Sequence, residues 1–294
     1  MSENASPRLG YIGLGNQGAP MAKRYLDWPG GLTVFDVRAE AMTPFVEGGA
    51  TAAGSLAEVA DADIISVTVL NDEQVREVIT GDGGLASHAK PGTIIAIHST
   101  ISHTTAVELA QELKPQGIHI ADAPVSGGAK AADKGELAVM VGADDETFAR
   151  IKEPFSRWAS VVIHAGEPGD GTKMKLARNM LTFTIYTADG EAQKLADAAG
   201  LSLKDLSTVV RHSDVLTGGA GSIMFRDDAK PLAPDHFLYK PFLHTRGLGE
   251  KDLSLALALG ESLSVDLPLA QLALERFAAN LGVPHTDTDS PKEA

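Results

Sequence analysis

From Leu9 to about Gly166, short apolar runs alternate with amphipathic stretches. The runs are LGYIG, LTVFD, ADIISVTV, GTIIAIHS, GIHIADAP, ELAVMVG and SVVIHAG. Between them lie patterns such as DEQVREVI, TTAVELAQEL and DETFARIKEPFSRWA. Near-continuous apolar strands alternating with helices predict a parallel sheet covered on both faces. After the GDG at 169–171 the pattern changes. From Thr172 to Ala199 helix formers dominate, proline is absent and the one glycine is Gly190, so a long helix is predicted. The remainder reads as helical, with breaks around TGGAGS and KPLAPDH. The tract DLSLALALGESLSVDLPLAQLAL is interrupted by Glu261, Asp266 and Pro268, and predicts buried helices instead of a membrane span. The expected organisation is an α/β domain over residues 1–166 and an all-helical domain over 167–294, joined by the long helix. The polar tail HTDTDSPKEA is expected to fray.

Charge and cysteine content narrow the functions. The 294 residues carry a net charge of −14, which disfavours nucleic acid and anionic membrane as partners. There is no cysteine, so disulfides, thiolate zinc sites and thiol catalysis are excluded. That fits a reducing compartment, and MSENASPR lacks a signal-type apolar core, so a cytoplasmic location is expected. His98, His119, His164 and His212 have no metal-ligand partners at recognisable spacing and read as structural or surface residues; no metal is expected.

The first run opens a chemical motif. LGYIGLGNQGAPMAKRYL carries Gly13, Gly15 and Gly18 as G-x-G-x-x-G, directly after a strand and at the start of a helix. The first glycine permits the tight turn, the second lets backbone approach a pyrophosphate, and the third lets helix and strand pack closely. Leu14, Asn16 and Gln17 fill the turn and join the glycines as candidate cofactor contacts. The second strand, LTVFD, ends in Asp36, about 20 residues on, where a ribose 2′-OH needs an acceptor. A carboxylate there repels a 2′-phosphate, so NAD is favoured over NADP. Arg38, which could hold that phosphate, keeps NADP open but reads first as a solvated loop residue.

Two further stretches carry candidate chemistry. In DAPVSGG, Ser126, Gly127 and Gly128 follow a strand and offer a hydroxyl and approachable backbone N–H groups, suited either to a substrate carboxylate or to an ordinary turn. In GDGTKMKLARNML, Lys175 and Asn179 are four apart and share one helix face, while Lys173 points elsewhere. Lys173 reads as a solvated cation; Lys175 needs a wider context.

That context is a resemblance to the β-hydroxyacid dehydrogenases, the family of 3-hydroxyisobutyrate dehydrogenase and tartronate semialdehyde reductase. Nearly the whole chain resembles it, through GYIGLGNQGAPMA, HSTIS, DAPVSGG, GDGTKMKLARNML and KDLSLAL in the family's order and spacing. The resemblance implies a Rossmann-type NAD(P)-binding domain, a long central helix, a helical substrate and oligomerisation domain, and an active site in the cleft between domains. Homodimers or homotetramers are implied as well. Carried over, Lys175 matches the catalytic lysine and Asn179 the substrate-contacting amide. Ser126, Gly127 and Gly128 match the carboxylate turn, Thr100 and Lys251 positions near the nicotinamide, and Leu70 and Asn71 a backbone cofactor contact. The implied reaction moves a hydride between NAD and the hydroxyl carbon of a small β-hydroxyacid, or of its semialdehyde in reverse. Imine-reducing relatives and non-catalytic nucleotide-binding relatives are the alternatives; both usually lack the lysine that this chain keeps. Decarboxylating 6-phosphogluconate dehydrogenases are longer and carry a histidine at the place of Arg178.

The chain departs from the family pattern in ways that bear on substrate. Asn71 stands for a common proline, and Arg178 for a second asparagine. His244 stands for a phenylalanine seven residues before Lys251, with Phe242 as a partial aromatic replacement and Arg246 two residues on. Ile97 stands where an acid is usual. Arg178 and His244 are therefore candidate substrate contacts. For Arg178 two readings are open: an internal ion pair with Asp252 or Glu250, or a partner for a second anionic group on the substrate.

Overall fold

The computed structural model describes residues 6–198, 200–217, 223, 225–226, 228–262 and 267–285. Residues 1–5, the tail from 286 and most of the TGGAGS break lie outside that set. The chain forms two compact units, Met1–Lys175 and Leu176–Ala294.

In the first unit the elements alternate as the apolar runs predict. They are β1 (Leu9–Ile12), α1 (Gly18–Lys23), β2 (Leu32–Phe35), α2 (Thr43–Glu47), β3 (Thr51–Ala52), α3 (Leu56–Val59), β4 (Ile64–Val67) and α4 (Asp72–Thr80). Then follow β5 (Ile94–Ile97), α5 (His103–Leu113), β6 (His119–Asp122), β7 (Val125–Ser126), α6 (Gly128–Lys134), β8 (Leu137–Gly142), α7 (Asp145–Phe155) and β9 (Ala159–Gly166). The sheet order is β3-β2-β1-β4-β5-β6-β8-β7, with β9 on β8. Strands β1 to β6 pair in parallel, consistent with a Rossmann-type sheet. Strand β8 corrects the all-parallel expectation: it runs antiparallel to β6 and β7 and parallel to β9. The chain passes through β7 and α6 and re-enters the sheet at β8 in the opposite sense.

Two apolar layers sandwich this sheet, and strand alternation sorts residues between them. Leu9 and Tyr11 of β1, Ile64 of β4, and Ile94 and Ala96 of β5 belong to one layer. Ile12, Ile65, Val67, Ile95 and Ile97 belong to the other. This two-residue period explains why the central runs are apolar throughout. Ile97 is fully buried, so the place where the family has an acid is core here.

Helix α8 (Asp170–Ala198) starts in the first unit and continues into the second. The second unit adds α9 (Leu203–Thr217), α10 (Tyr239–Ser262) and α11 (Pro268–Leu281). Gly190 inside α8 is a packing requirement, because a Cβ there would lie 2.6 Å from the Asn280 Cβ of α11. Phe242 is buried with Phe183 and Phe277 in this unit's core, which removes it as a replacement for the missing site aromatic. No described helix is long and apolar enough to cross a membrane.

Candidate active site

The glycine turn between β1 and α1 is built for close backbone approach. Gly13 sits at φ +90, and a Cβ there would lie 2.0 Å from the Thr68 carbonyl oxygen. A Cβ on Gly18 would lie 2.0 Å from the Gly13 carbonyl oxygen, so α1 could not pack on the turn. Gly15 has nothing within 4 Å of a built Cβ, leaving space beside its backbone. A pyrophosphate needs just such an open position flanked by two tight ones, so the turn fits a dinucleotide.

Asp36, just after β2, is buried. Its Oδ2 accepts from the Leu14 N–H at 2.7 Å, which ties the acid to the glycine turn. Its Oδ1 accepts from the Arg38 N–H at 2.9 Å and from Arg38 Nε at 3.2 Å. Burial alone would raise the Asp36 pKa, but the N–H groups of Arg38 and Leu14 and the guanidinium together hold it below the ordinary carboxylate range. Arg38 is therefore not a merely solvated loop residue. It is exposed, but it pairs with Asp36.

The loop after β4 shows why Asn71 can replace a proline. Its side chain caps α4, accepting from the Gln74 N–H at 2.9 Å, while the Gln74 side chain takes the Leu70 N–H at 2.9 Å. Leu70 itself is exposed. Ser99, which the motifs did not single out, fastens this loop to the end of β5. Its Oγ donates to the Val69 carbonyl at 2.7 Å and accepts from the Val69 N–H at 2.9 Å. Thr100 follows it, half-buried.

His98 resolves as a structural residue. It is buried, with Nδ1 2.8 Å from the Ala123 carbonyl oxygen and Nε2 2.9 Å from Ser66 Oγ. The carbonyl can only accept, so Nδ1 carries the proton and Nε2 accepts from the serine. Burial drives its pKa down to about 4, against a smaller upward effect of the Ala123 hydrogen bond. His98 thus joins β4, β5 and the start of the DAPVSGG turn.

In that turn Gly127 and Gly128 both have positive φ, +131 and +71. A Cβ on Gly127 would lie 2.7 Å from the Ala131 Cβ, whereas Gly128 faces open space. Ser126 is half-buried, and both glycines are exposed. Successive N–H groups in such a turn form a concavity that suits a carboxylate.

Asp122, the first residue of DAPVSGG, has a role that sequence reasoning missed. It is fully buried; Oδ1 accepts from the Gly169 N–H at 2.6 Å and Oδ2 from the Thr172 N–H at 2.5 Å. One carboxylate thus caps the start of α8 from the end of β6. Burial pushes its pKa up, while the bonds from Gly169 and Thr172 pull it down. Two glycines let the backbones close in. A Cβ on Gly171 would lie 2.5 Å from the Asp122 carbonyl oxygen, and one on Gly142 would lie 2.3 Å from Asp122 Oδ1. The available signal was a carboxylate ending an apolar strand, since a buried charge requires partners.

Helix α8 separates the two lysines. Lys173 is partly exposed and pairs with Asp170 at 2.8 Å. Lys175 is buried, as is Asn179 one turn later. The Asn179 amide donates to Asp252 Oδ2, and its Oδ1 accepts from the Arg178 guanidinium at 3.1 Å. Lys251 lies 3.2 Å from Asp252 Oδ1, an ion pair without hydrogen-bond alignment. His244, on α10 two turns before Lys251, is exposed. Arg246 is committed elsewhere: it donates to the Pro284 carbonyl at 2.6 Å and lies 3.8 Å from Glu250.

A sheet parallel through β1–β6, a glycine turn and an acid after β2 define a dinucleotide-binding domain. Residues 8–166 match the NAD-binding domain of 6-phosphogluconate dehydrogenase. Residues 169–291 match the NAD-binding domain of NADP-dependent 3-hydroxyisobutyrate dehydrogenase. The chain is 75% identical over 288 residues to an uncharacterized oxidoreductase of Mycobacterium tuberculosis, covering 98% of each chain. It is 32% identical to 2-(hydroxymethyl)glutarate dehydrogenase of Eubacterium barkeri, over 92% of this chain and 88% of that one. The crystal structure of 3-hydroxyisobutyrate dehydrogenase from Salmonella typhimurium is similar at a TM-score of 0.75 and 30% identity, over 94% of this chain and 95% of that one. The chain belongs to the β-hydroxyacid dehydrogenase family, and its cofactor is NAD or NADP.

Proposed function

We propose that the protein is an NAD-dependent dehydrogenase of a small β-hydroxyacid, 3-hydroxyisobutyrate dehydrogenase-like in chemistry, with Lys175 as its proton-transfer residue. The nicotinamide, when bound, takes the hydride from the hydroxyl-bearing carbon. Gly13, Leu14, Gly15, Asn16, Gln17 and Gly18 cradle the cofactor phosphates and Asp36 the ribose. Leu70, Asn71, Thr100 and Lys251 complete the cofactor contacts. Ser126, Gly127 and Gly128 hold the substrate carboxylate. Lys175, as the neutral amine, takes the hydroxyl proton; in the reverse direction its ammonium returns that proton to the carbonyl oxygen. Asn179 orients the same oxygen.

The observation that carries this reading is the buried pair on α8: Lys175, with Asn179 one turn on and anchored by Asp252. A buried lysine beside a fixed amide is the arrangement a solvated helix face would not keep. The test is a panel of β-hydroxyacids with NAD and NADP, followed by nicotinamide absorbance. Lys175→Met is expected to lower kcat by ~10²–10⁴ with NADH binding retained, and Lys173→Met to be close to silent. Equal losses at both lysines would refute the assignment.

A further inference from the structure

Arg178 is exposed on α8, and its guanidinium donates to Asn179 Oδ1. Among the described residues no carboxylate pairs with it. Both acids that sequence reasoning offered as internal partners are engaged by other cations. Asp252 takes the Asn179 amide and faces Lys251 at 3.2 Å. Glu250 lies 3.8 Å from Arg246 and 3.4 Å from His285. Neither Asp252 nor Glu250 is recorded in an ion pair with Arg178.

The guanidinium is nonetheless held in place. Asp252 can only accept, so the Asn179 NH₂ must face it and the amide oxygen must face Arg178. Hydrogen bonds run from Arg178 to Asn179 and from Asn179 to Asp252, with Lys251 beside the same carboxylate. A guanidinium stays charged and presents a planar fork that matches a carboxylate.

We propose that Arg178 is the receptor for a second carboxylate on the substrate, so that the preferred substrates are hydroxy-dicarboxylates. This rests on the proposed role of Lys175. On one helix, residues three apart have Cβ atoms about 5–6 Å apart, so Arg178 and Lys175 are neighbours along α8.

Binding of non-reacting acids tests this without requiring turnover. Glutarate and pentanoate, a dicarboxylate and a monocarboxylate of equal length, are titrated calorimetrically into the protein–NADH complex. Glutarate is expected to bind about 10–100-fold more tightly. Arg178→Gln, which keeps a donor for Asn179, is expected to weaken glutarate far more than pentanoate, and Arg178→Lys to restore part of the difference. Equal affinity for the two acids, no binding of either, or equal weakening by Arg178→Gln overturns the proposal. The turnover panel separates this outcome from the function itself. Oxidation of neutral-tailed hydroxyacids in preference to hydroxy-dicarboxylates removes the Arg178 receptor and leaves the dehydrogenase. Arg178-dependent glutarate binding without oxidation of any hydroxyacid removes the dehydrogenase and leaves the receptor.

Discussion

The capping of α8 by Asp122 gives a prediction whose size can be worked out. In a capping box, the residue before a helix and the third residue within it satisfy each other's N–H groups through their side chains. Here Gly169 precedes the helix and has no side chain to contribute. Asp122 accepts from both positions instead, the N–H of Gly169 at 2.6 Å and that of Thr172 at 2.5 Å. A hydrogen bond to a charged group contributes about 1.5–3 kcal/mol net, so the pair contributes about 3–6 kcal/mol before desolvation is counted. Desolvation opposes it: burial pushes the carboxyl's pKa up in spite of both donors. The low end of the range is therefore expected, about 3 kcal/mol for Asp122→Ala. Asp122→Asn keeps one carbonyl acceptor and sets its NH₂ against the second N–H, for a loss of about 1.5–2 kcal/mol.

Urea denaturation with an unchanged m-value measures these losses. Amide exchange at Gly169 and Thr172 locates them, and should accelerate there before the rest of α8. Lys175 is three residues beyond Thr172, so a loosened start misplaces its amine. A displacement of about 1 Å can cost on the order of 10² in rate, and kcat is expected to fall by that factor while NADH affinity holds. Stability within about 0.5 kcal/mol of the parent for both variants, with unchanged exchange at Gly169 and Thr172, would refute the cap.

Two further predictions concern acid sensitivity and cofactor choice. His98 has a folded pKa of about 4 against an ordinary 6.5, so its contribution is complete above pH 6.5 and lost as pH falls toward 4. That difference is worth about 3 kcal/mol, so the stability advantage of the parent over His98→Gln should shrink by about this much between pH 7 and pH 4; a pH-independent difference would contradict it. Asp36 is held ionised by Leu14 and Arg38. A preference for NAD in kcat/KM is therefore expected, relaxed in Asp36→Asn, and an NADP preference in the parent would transfer Arg38 to a 2′-phosphate.

What the sequence made legible was whatever depends on local periodicity. The apolar runs located β1, β2, β4, β5, β6, β8 and β9, because each strand is buried on both faces or lies beside one that is. The positions of Gly13 and Gly18 were legible because a turn imposes its own steric rule. The direction of β8 was not, since an apolar run reads the same in either sense. The Asp122 cap was hidden for a related reason. Its donors lie 47 and 50 residues away, and no spacing rule reaches across a strand pair and a helix start.

The departures from the family pattern divide along the same line. Asn71 for proline is self-contained: the side chain caps its own helix, so the change needs no compensation elsewhere. Ile97 for an acid is absorbed by the sheet, where a fully buried position between apolar layers has no partner for a charge. Arg178 for asparagine is different. It adds a permanent cation three residues from Lys175, and both nearby carboxylates are engaged by other groups. Its described contact is the hydrogen bond to Asn179 Oδ1, and no carboxylate is recorded with it among the described residues. Under the proposal above, an anionic ligand supplies the partner for this guanidinium. A substitution of this kind is therefore better explained by the ligand than by the fold, whereas Asn71 and Ile97 are explained by the fold alone.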